Sequence, residues 1–310
     1  MDGQHDTHGS SYAYADPHWA EFYDLWIATI FDTANKPHED IAILWSQLST
    51  QLAIPRGKNS GEKFKVIDVG TGTGRVVKSF IKCAVDEGIG LGGLEILGVD
   101  HGAAMVERAE KTYGKLAKDE GYERSGVTVL WQTCSATQLI EKNPAFEGET
   151  DLVIFAAGGL GHLTAEREVD AFLEEAAKLL GSHGVAIISI LNETIAVGGK
   201  SAPMREEEAP NSQESMTIRS EENEGLVYRK SGAWQRWDKR GLIRTDGFQI
   251  DVLEEDRDGY EMKEAKRKDV EWSLRVFEEA TWERRVREKG LMIEGVKEGE
   301  IQRWYFLKRA

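Results

Sequence analysis

VIDVGTGTGRV, residues Val66 to Val76, sets mostly apolar residues ahead of three glycines spaced two apart, then an arginine and a further valine. A strand that ends in glycines and opens a helix leaves backbone N–H groups and the positive end of a helix dipole at the carboxyl edge of a sheet. A ligand can approach the main chain closely there, so the stretch has the form of a nucleotide-type site. The glycines stand at 70, 72 and 74 rather than as GxGxxG, and Asp68 lies just ahead of them. A carboxylate at that point opposes a pyrophosphate and attracts an ammonium group.

Working outward, strand-like and helix-like runs alternate. FKVIDV (64–69) precedes a helix over 75–88, and LEILGVD (94–100) precedes AAMVERAEKTYGKLAKDEG. VTVLWQT (127–133) is followed by the short segment ATQLIEK. DLVIFAA (151–157) leads into AEREVDAFLEEAAKLLG, whose Gly181 reads as a helix stop, and GVAIISIL (184–191) is the fifth strand. This alternation predicts a parallel sheet covered by helices, and near-continuous apolar strands predict that both of its faces are buried. Asp100 ends the second strand, where an acid accepts hydrogen bonds from ribose hydroxyls. Its removal is expected to weaken ligand binding with little effect on folding. An adenosine carrying a cationic amino acid tail satisfies both acids.

The flanks give four regions: a tail and helical lid (1–60), the binding core (61–192), a mobile loop with an antiparallel β cap (193–273), and a C-terminal helix with the last two strands of the core (274–310). The loop is the polar stretch 198–215, and the cap comprises MTIRS, LVYRKSGAWQRW, GLIRTDGFQIDVLEED and EMKEAKRKDVEW. The expected fold is therefore α/β, a doubly wound, seven-stranded, mostly parallel Rossmann-like sheet with a helical lid and a small antiparallel insertion after strand 5. In the lid, Tyr14, Trp19, Phe22, Tyr23 and Trp26 recur at near-helical spacing, which suits burial of one face and leaves Tyr23 as the preferred lid contact. Trp234, Trp237 and Phe248 read as core of the cap, with a share in lining a cavity as the alternative.

VIDVGTGTGRV together with LGVDHGAAMVERA and DLVIFAAGGLGHLT resembles the class I S-adenosylmethionine-dependent methyltransferases over about residues 64–191. The resemblance implies that Asp68, Gly70, Thr71, Gly72, Thr73 and Gly74 face the methionine portion of S-adenosylmethionine. It implies that Asp100 holds the ribose, with His101 and Met105 bordering ribose and adenine, and that Ala156 and Ala157 border the donor after the fourth strand. GGLGHL (158–163), the insertion after the fifth strand, and the pair Tyr23 and Asp24 are similar to the glycine N-methyltransferase-like, small-molecule branch (methyltransferase type 11 or 25 domains). Two departures stand out. After the third strand many members carry an aspartate for the adenine amino group, whereas CSATQL leaves this to Ser135 or the main chain at Ala136. Gly158 and Gly159 replace the polar residues of a glycine-methylating enzyme, so glycine is not the expected acceptor.

The activity implied is in-line methyl transfer to a small molecule, with N or O preferred and S or C left open, and with His162 as a candidate to take or bias a proton. Two alternatives keep the same ligand: a binding protein that transfers nothing, and an enzyme of another reaction, such as a cyclisation, that uses the sulfonium as a fixed charge. A formal charge of −15, from 54 acidic and 39 basic residues, repels a phosphate backbone, so nucleic acid is not an expected partner. FAAG in place of [DN]PP[YF], and no acid–asparagine pair after the fourth strand, speak against base-amino and metal-dependent catechol methylation. No metal is expected, and the oligomeric state is left open. Cys83 and Cys134 sit in apolar periodic segments and read as structural thiols. No run of 18 apolar residues and no signal-peptide pattern occur, which predicts a cytoplasmic chain without a membrane span. GIGLGG (88–93) follows a helix, so it reads as a loop; TIAVGGKS (194–201) has Thr194 at the first glycine position of a phosphate loop; His5 and His8 read as solvated tail residues.

Overall fold

The computed structural model describes Tyr14 and residues 16–31, 39–53, 63–119, 121–196, 215–255 and 262–310. Its first half alternates helix and strand: α1 (Pro17–Phe31), α2 (Glu39–Leu52), β1 (Phe64–Val69), α3 (Arg75–Glu87), β2 (Leu94–Asp100), α4 (Ala103–Asp119), β3 (Thr128–Thr133), α5 (Leu139–Lys142), β4 (Thr150–Phe155), α6 (Glu166–Leu179) and β5 (Leu180–Leu191). The second half is strand-rich: β6 (Ile195–Ala196), β7 (Met216–Arg219), β8 (Leu226–Trp237), β9 (Ile243–Glu255), β10 (Met262–Arg275), β11 (Phe277–Glu278), α7 (Glu279–Glu288), β12 (Leu291–Glu298) and β13 (Gln302–Arg309).

Seven strands form one sheet in the order β12-β13-β5-β4-β1-β2-β3. The five strands from β1 to β5 run parallel, and β13 and β12 add antiparallel at one side. The strand order reverses beside β1, which has β2 on one side and β4 on the other, so the crevice at its carboxyl end is the expected ligand position. Alternation along β1 sends Ile67 and Val69 into one core with α6 and α7, and Val66 into a second core with α2 and α3.

Two expectations fail locally. β3 is not buried on both faces: none of its residues is buried and Leu130 is 42% exposed, because β3 is the sheet's edge strand with a single neighbour. Gly181 does not stop the helix. The chain passes from Leu179 into β5 through an extended Leu180, and Gly181 lies in the strand, where an added Cβ would sit 3.3 Å from the Gly148 carbonyl oxygen. Close backbone approach, not a left-handed turn, is what a glycine serves there.

The insertion forms an antiparallel sheet in the order β10-β9-β8-β7, and α1 lies on it. Trp19 and Phe22 of α1 are buried against Tyr228, Phe248, Ile250, Val252 and Val270, in a third cluster that also takes Ala104 and Met105 from α4. Polar ties fix the same contact. Glu21 accepts hydrogen bonds from the Tyr228 hydroxyl (2.7 Å), the Ser220 hydroxyl and the N–H groups of Glu221 and Glu222. Asp16 pairs with Lys266 (3.0 Å) and Lys268 (2.9 Å), and Arg267 with Asp251, so the basic run of β10 is engaged within the fold. On the other side of α1, Asp24 accepts from Arg108 Nε (3.0 Å) and from the Thr73 hydroxyl (2.9 Å). Among the described residues no helix is long and apolar enough to cross a membrane. His5, His8, Gly198–Ser201 and all of the loop 198–215 except Ser215 lie outside the described residues.

Candidate active site

The turn from β1 to α3 passes through three glycines of positive φ: Gly70 at 65°, Gly72 at 56° and Gly74 at 81°. At Gly72 the nearest atom to an added Cβ is the Tyr23 ring, 4.0 Å away, so a bare main chain faces the crevice. At Gly74 the same atom would lie 2.7 Å from the Trp131 ring. Gly74 therefore serves the packing of loop on β3 and, unlike the other loop residues expected at the site, is not part of the cavity wall.

The crevice is two chambers that meet at Tyr23, Gly70, Gly72, Ala156 and Ala157. The first, about 220 Å³, lies between Asp68, Thr71, Thr73 and Arg75 and the α1 residues Tyr23 and Asp24. Asp68 is buried and accepts a hydrogen bond from the Thr71 hydroxyl at 2.6 Å. Burial pushes its carboxyl up to about 7, against the opposing pull of Thr71 and Arg75. Arg75 is held by Asp40, Nη1 to Oδ1 at 3.1 Å and Nη2 to Oδ2, and this pair keeps its guanidinium firmly charged despite burial.

The second chamber, about 280 Å³, is lined by Tyr14, Asp100, His101, Met105, Ser135, Ala136, His162 and Glu168 among others. Asp100 is 8% exposed; its Oδ2 accepts the Gly72 N–H (3.0 Å) and its Oδ1 the Gly102 N–H (2.8 Å). Burial raises its pKa, opposed by those N–H groups and by His101. Asp100, whose removal is expected to have little effect on folding, is nevertheless buried and ties the glycine loop to the start of α4. Ala157 holds φ at 53°, the positive-φ residue other than glycine among the described residues, and strain of this kind gathers at ligand sites. His162 ends a single 3-10 turn, Gly159–His162, with the Tyr14 ring edge-on at 5.9 Å. Its Nδ1 is buried without a hydrogen-bond partner, and burial, then His101, pushes the imidazole down to about 4, so the ring is neutral at pH 7. Burial keeps the Tyr14 phenol protonated.

All the residues expected at the site share these walls except Gly74. Reasoning from sequence passed over Arg75, Leu163 and Glu168. Arg75 carried a signal, since a cation in the first turn of a helix opposes its dipole and calls for an anion such as Asp40. Glu168 carried none, because an acid in a first turn is ordinary. Trp234, Trp237 and Phe248 do not line the cavity: Phe248 is in the third cluster, and both tryptophans are half-buried. Cys83 and Cys134 are both free thiols, and Cys134 borders the second chamber.

Comparison with known proteins shows similarity to methyltransferases. Residues 66–184 match the family model described as a methyltransferase domain. The chain is 31% identical over 254 residues to N-methyltransferase FrzE of Cladobotryum sp., an alignment that covers 80% of each protein. Among solved structures it is similar to a S-adenosylmethionine-dependent methyltransferase from Clostridium acetobutylicum ATCC 824, with TM-score 0.58, 14% identity and coverage of 94% of this chain and 99% of that one. It is also similar to CalS10, an amino pentose methyltransferase from Micromonospora echinaspora, with TM-score 0.57, 13% identity and coverage of 92% and 97%.

Proposed function

Because the chain belongs to the class I S-adenosylmethionine-dependent methyltransferases, we propose that it methylates an amine nitrogen of a small molecule held between His162, Tyr14 and the lid. The observation that carries the choice of nitrogen is the neutral imidazole of His162. A ring with a pKa of about 4 is too weak a base to ionise an alcohol or phenol, whereas an amine that arrives unprotonated needs none. The similarity to FrzE, an N-methyltransferase, points the same way.

When bound, the donor supplies an electrophilic methyl group on its sulfonium. The chain's residues position and exclude. Asp68 in the first chamber attracts the ammonium and Arg75 the carboxylate of the amino acid end. Asp100 receives the ribose hydroxyls, and His101, Met105, Ser135 and Ala136 border the nucleoside. Thr71 and Thr73 line the first chamber, while Gly70 and Gly72, with Ala156 and Ala157, form the waist between chambers, and Tyr23 closes over it. Alignment of this kind supplies up to ~7–11 kcal/mol of barrier reduction in favourable cases. His162 accepts or donates a hydrogen bond that orients the acceptor, and stays neutral throughout.

The test is an acceptor screen with a methyl-labelled donor against primary and secondary amines, phenols and carboxylic acids. Label recovered on nitrogen is the expected result. Label confined to oxygen, or retained donor binding with no transfer to any acceptor, refutes the reading.

A further inference from the structure

The second chamber holds two carboxylates, and one of them has an oxygen to spare. Asp100 gives one oxygen to each of two loop N–H groups. Glu168, in the first turn of α6, accepts the Ala165 N–H on Oε2 at 2.9 Å, and its Oε1 bonds no described residue.

Two observations set Glu168 beside the chain that leaves β3. It shares a cavity wall with Cys134, Ser135 and Ala136. Glu175, seven residues on and so two turns along the same helix face, accepts the Ile140 N–H at 2.7 Å, which lays this face of α6 along the segment after β3. β3 is the next strand outward from β2, so this wall lies beyond Asp100, on the side to which the base extends when the amino acid end occupies the first chamber. An adenine there presents a 6-amino group, which donates hydrogen bonds and needs an acceptor. Ser135 is already committed: its hydroxyl shares a hydrogen bond with the Thr137 hydroxyl (3.0 Å) and accepts the Thr137 N–H (3.3 Å), and its carbonyl accepts from the Cys134 thiol.

We propose that Glu168 reads the donor's base, its Oε1 accepting a hydrogen from the adenine 6-amino group and so selecting adenine over 6-oxo purines. This rests on the cavity being the donor site. A 6-oxo purine sets an acceptor against the carboxylate, and a buried polar site rejects a ligand that leaves its groups unpaired. Glu168 touches no reacting atom; it is a specificity residue.

The experiment is calorimetry of the full chain with S-adenosylhomocysteine and its 6-oxo analogue S-inosylhomocysteine, repeated on Glu168→Gln, Glu168→Ala and Ser135→Ala. The glutamine still caps Ala165 through its oxygen and turns an amide NH₂ toward the base. We expect the unaltered chain to favour the adenosyl ligand by about tenfold or more. Glu168→Gln should level or invert that ratio, and Glu168→Ala should erase it without inversion, while Ser135→Ala leaves it in place. A merely structural role for Glu168 would weaken both ligands alike. An unchanged ratio in Glu168→Gln, equal binding of both ligands by the unaltered chain, or loss of the ratio in Ser135→Ala overturns the proposal with the donor site intact. Binding of neither ligand by the unaltered chain overturns the donor site and the proposal together.

Discussion

At the scale of residues, the two aspartates at the carboxyl ends of β1 and β2 act through different physics. Asp100 is hydrogen-bonded to the loop it helps to shape, so Asp100→Asn keeps size and shape but removes charge and acceptor capacity. Charged hydrogen bonds contribute about 1.5–3 kcal/mol, so donor affinity should fall roughly ten- to hundredfold. Calorimetry and thermal melting together check this: a variant that binds as before refutes the ribose role. Asp68 is a titration effect. With its carboxyl pushed up to about 7 by burial, the donor-free site is part-protonated near neutrality, while a bound cation favours the ionised form. Affinity should therefore rise with pH up to about 7 and level off above it. Below that point the slope approaches roughly tenfold per unit, and Asp68→Asn should abolish it. A flat pH profile of the dissociation constant in the unaltered chain sinks this assignment. Both aspartates were legible in the sequence because each stands at, or one residue before, the end of an apolar strand. Glu168 was not, since nothing in a helix's first turn tells a cavity-facing acid from a cap.

At the scale of elements, periodicity and glycine spacing were enough to place β1, α3, β2, α4 and α6 to within a few residues. The misreadings came where tertiary context decides. An apolar run cannot announce that it is the last strand of a sheet, as β3 is, nor can a glycine after a helix announce that it serves a close crossing rather than a turn, as Gly181 does. Gly74 shows the same point at the site. It belongs to the glycine motif by spacing, yet its lack of a side chain lets the loop pack on Trp131. Gly74→Ala adds left-handed strain and a contact of 2.7 Å with that ring, so a loss of about 1–3 kcal/mol in stability is expected, without a direct contact to the ligand being removed. Denaturant titration tests it. A variant of unchanged stability with lost donor binding would move Gly74 back to the cavity.

At the scale of the whole molecule, α1, the antiparallel insertion and the start of α4 are one packed unit. Trp19 and Phe22 from α1, Tyr228 and Phe248 from the cap and Met105 from α4 share a cluster separate from the two that flank the central sheet. Phe22→Ala deletes a fully buried ring and should cost about 3–5 kcal/mol. Hydrogen exchange should show that loss in α1 and in β8–β10 together, with β1 and β4 still protected; exchange confined to α1 would show that the cap stands without it. The sequence displayed the aromatic spacing of α1, but not its partners, which lie about two hundred positions further along the chain.

That separation bears on how the chain leaves the ribosome. Trp19 and Phe22 are synthesised before the five parallel strands, and the strands that cover them follow only after β5. Contacts this distant in sequence are slow to form, and apolar surface left waiting for them is prone to stick to itself or to others. The nascent protein can thus pair its five parallel strands while its doorway is still open, and α1 is covered only once β10 has been translated and has docked, with β12 and β13 still to join the central sheet.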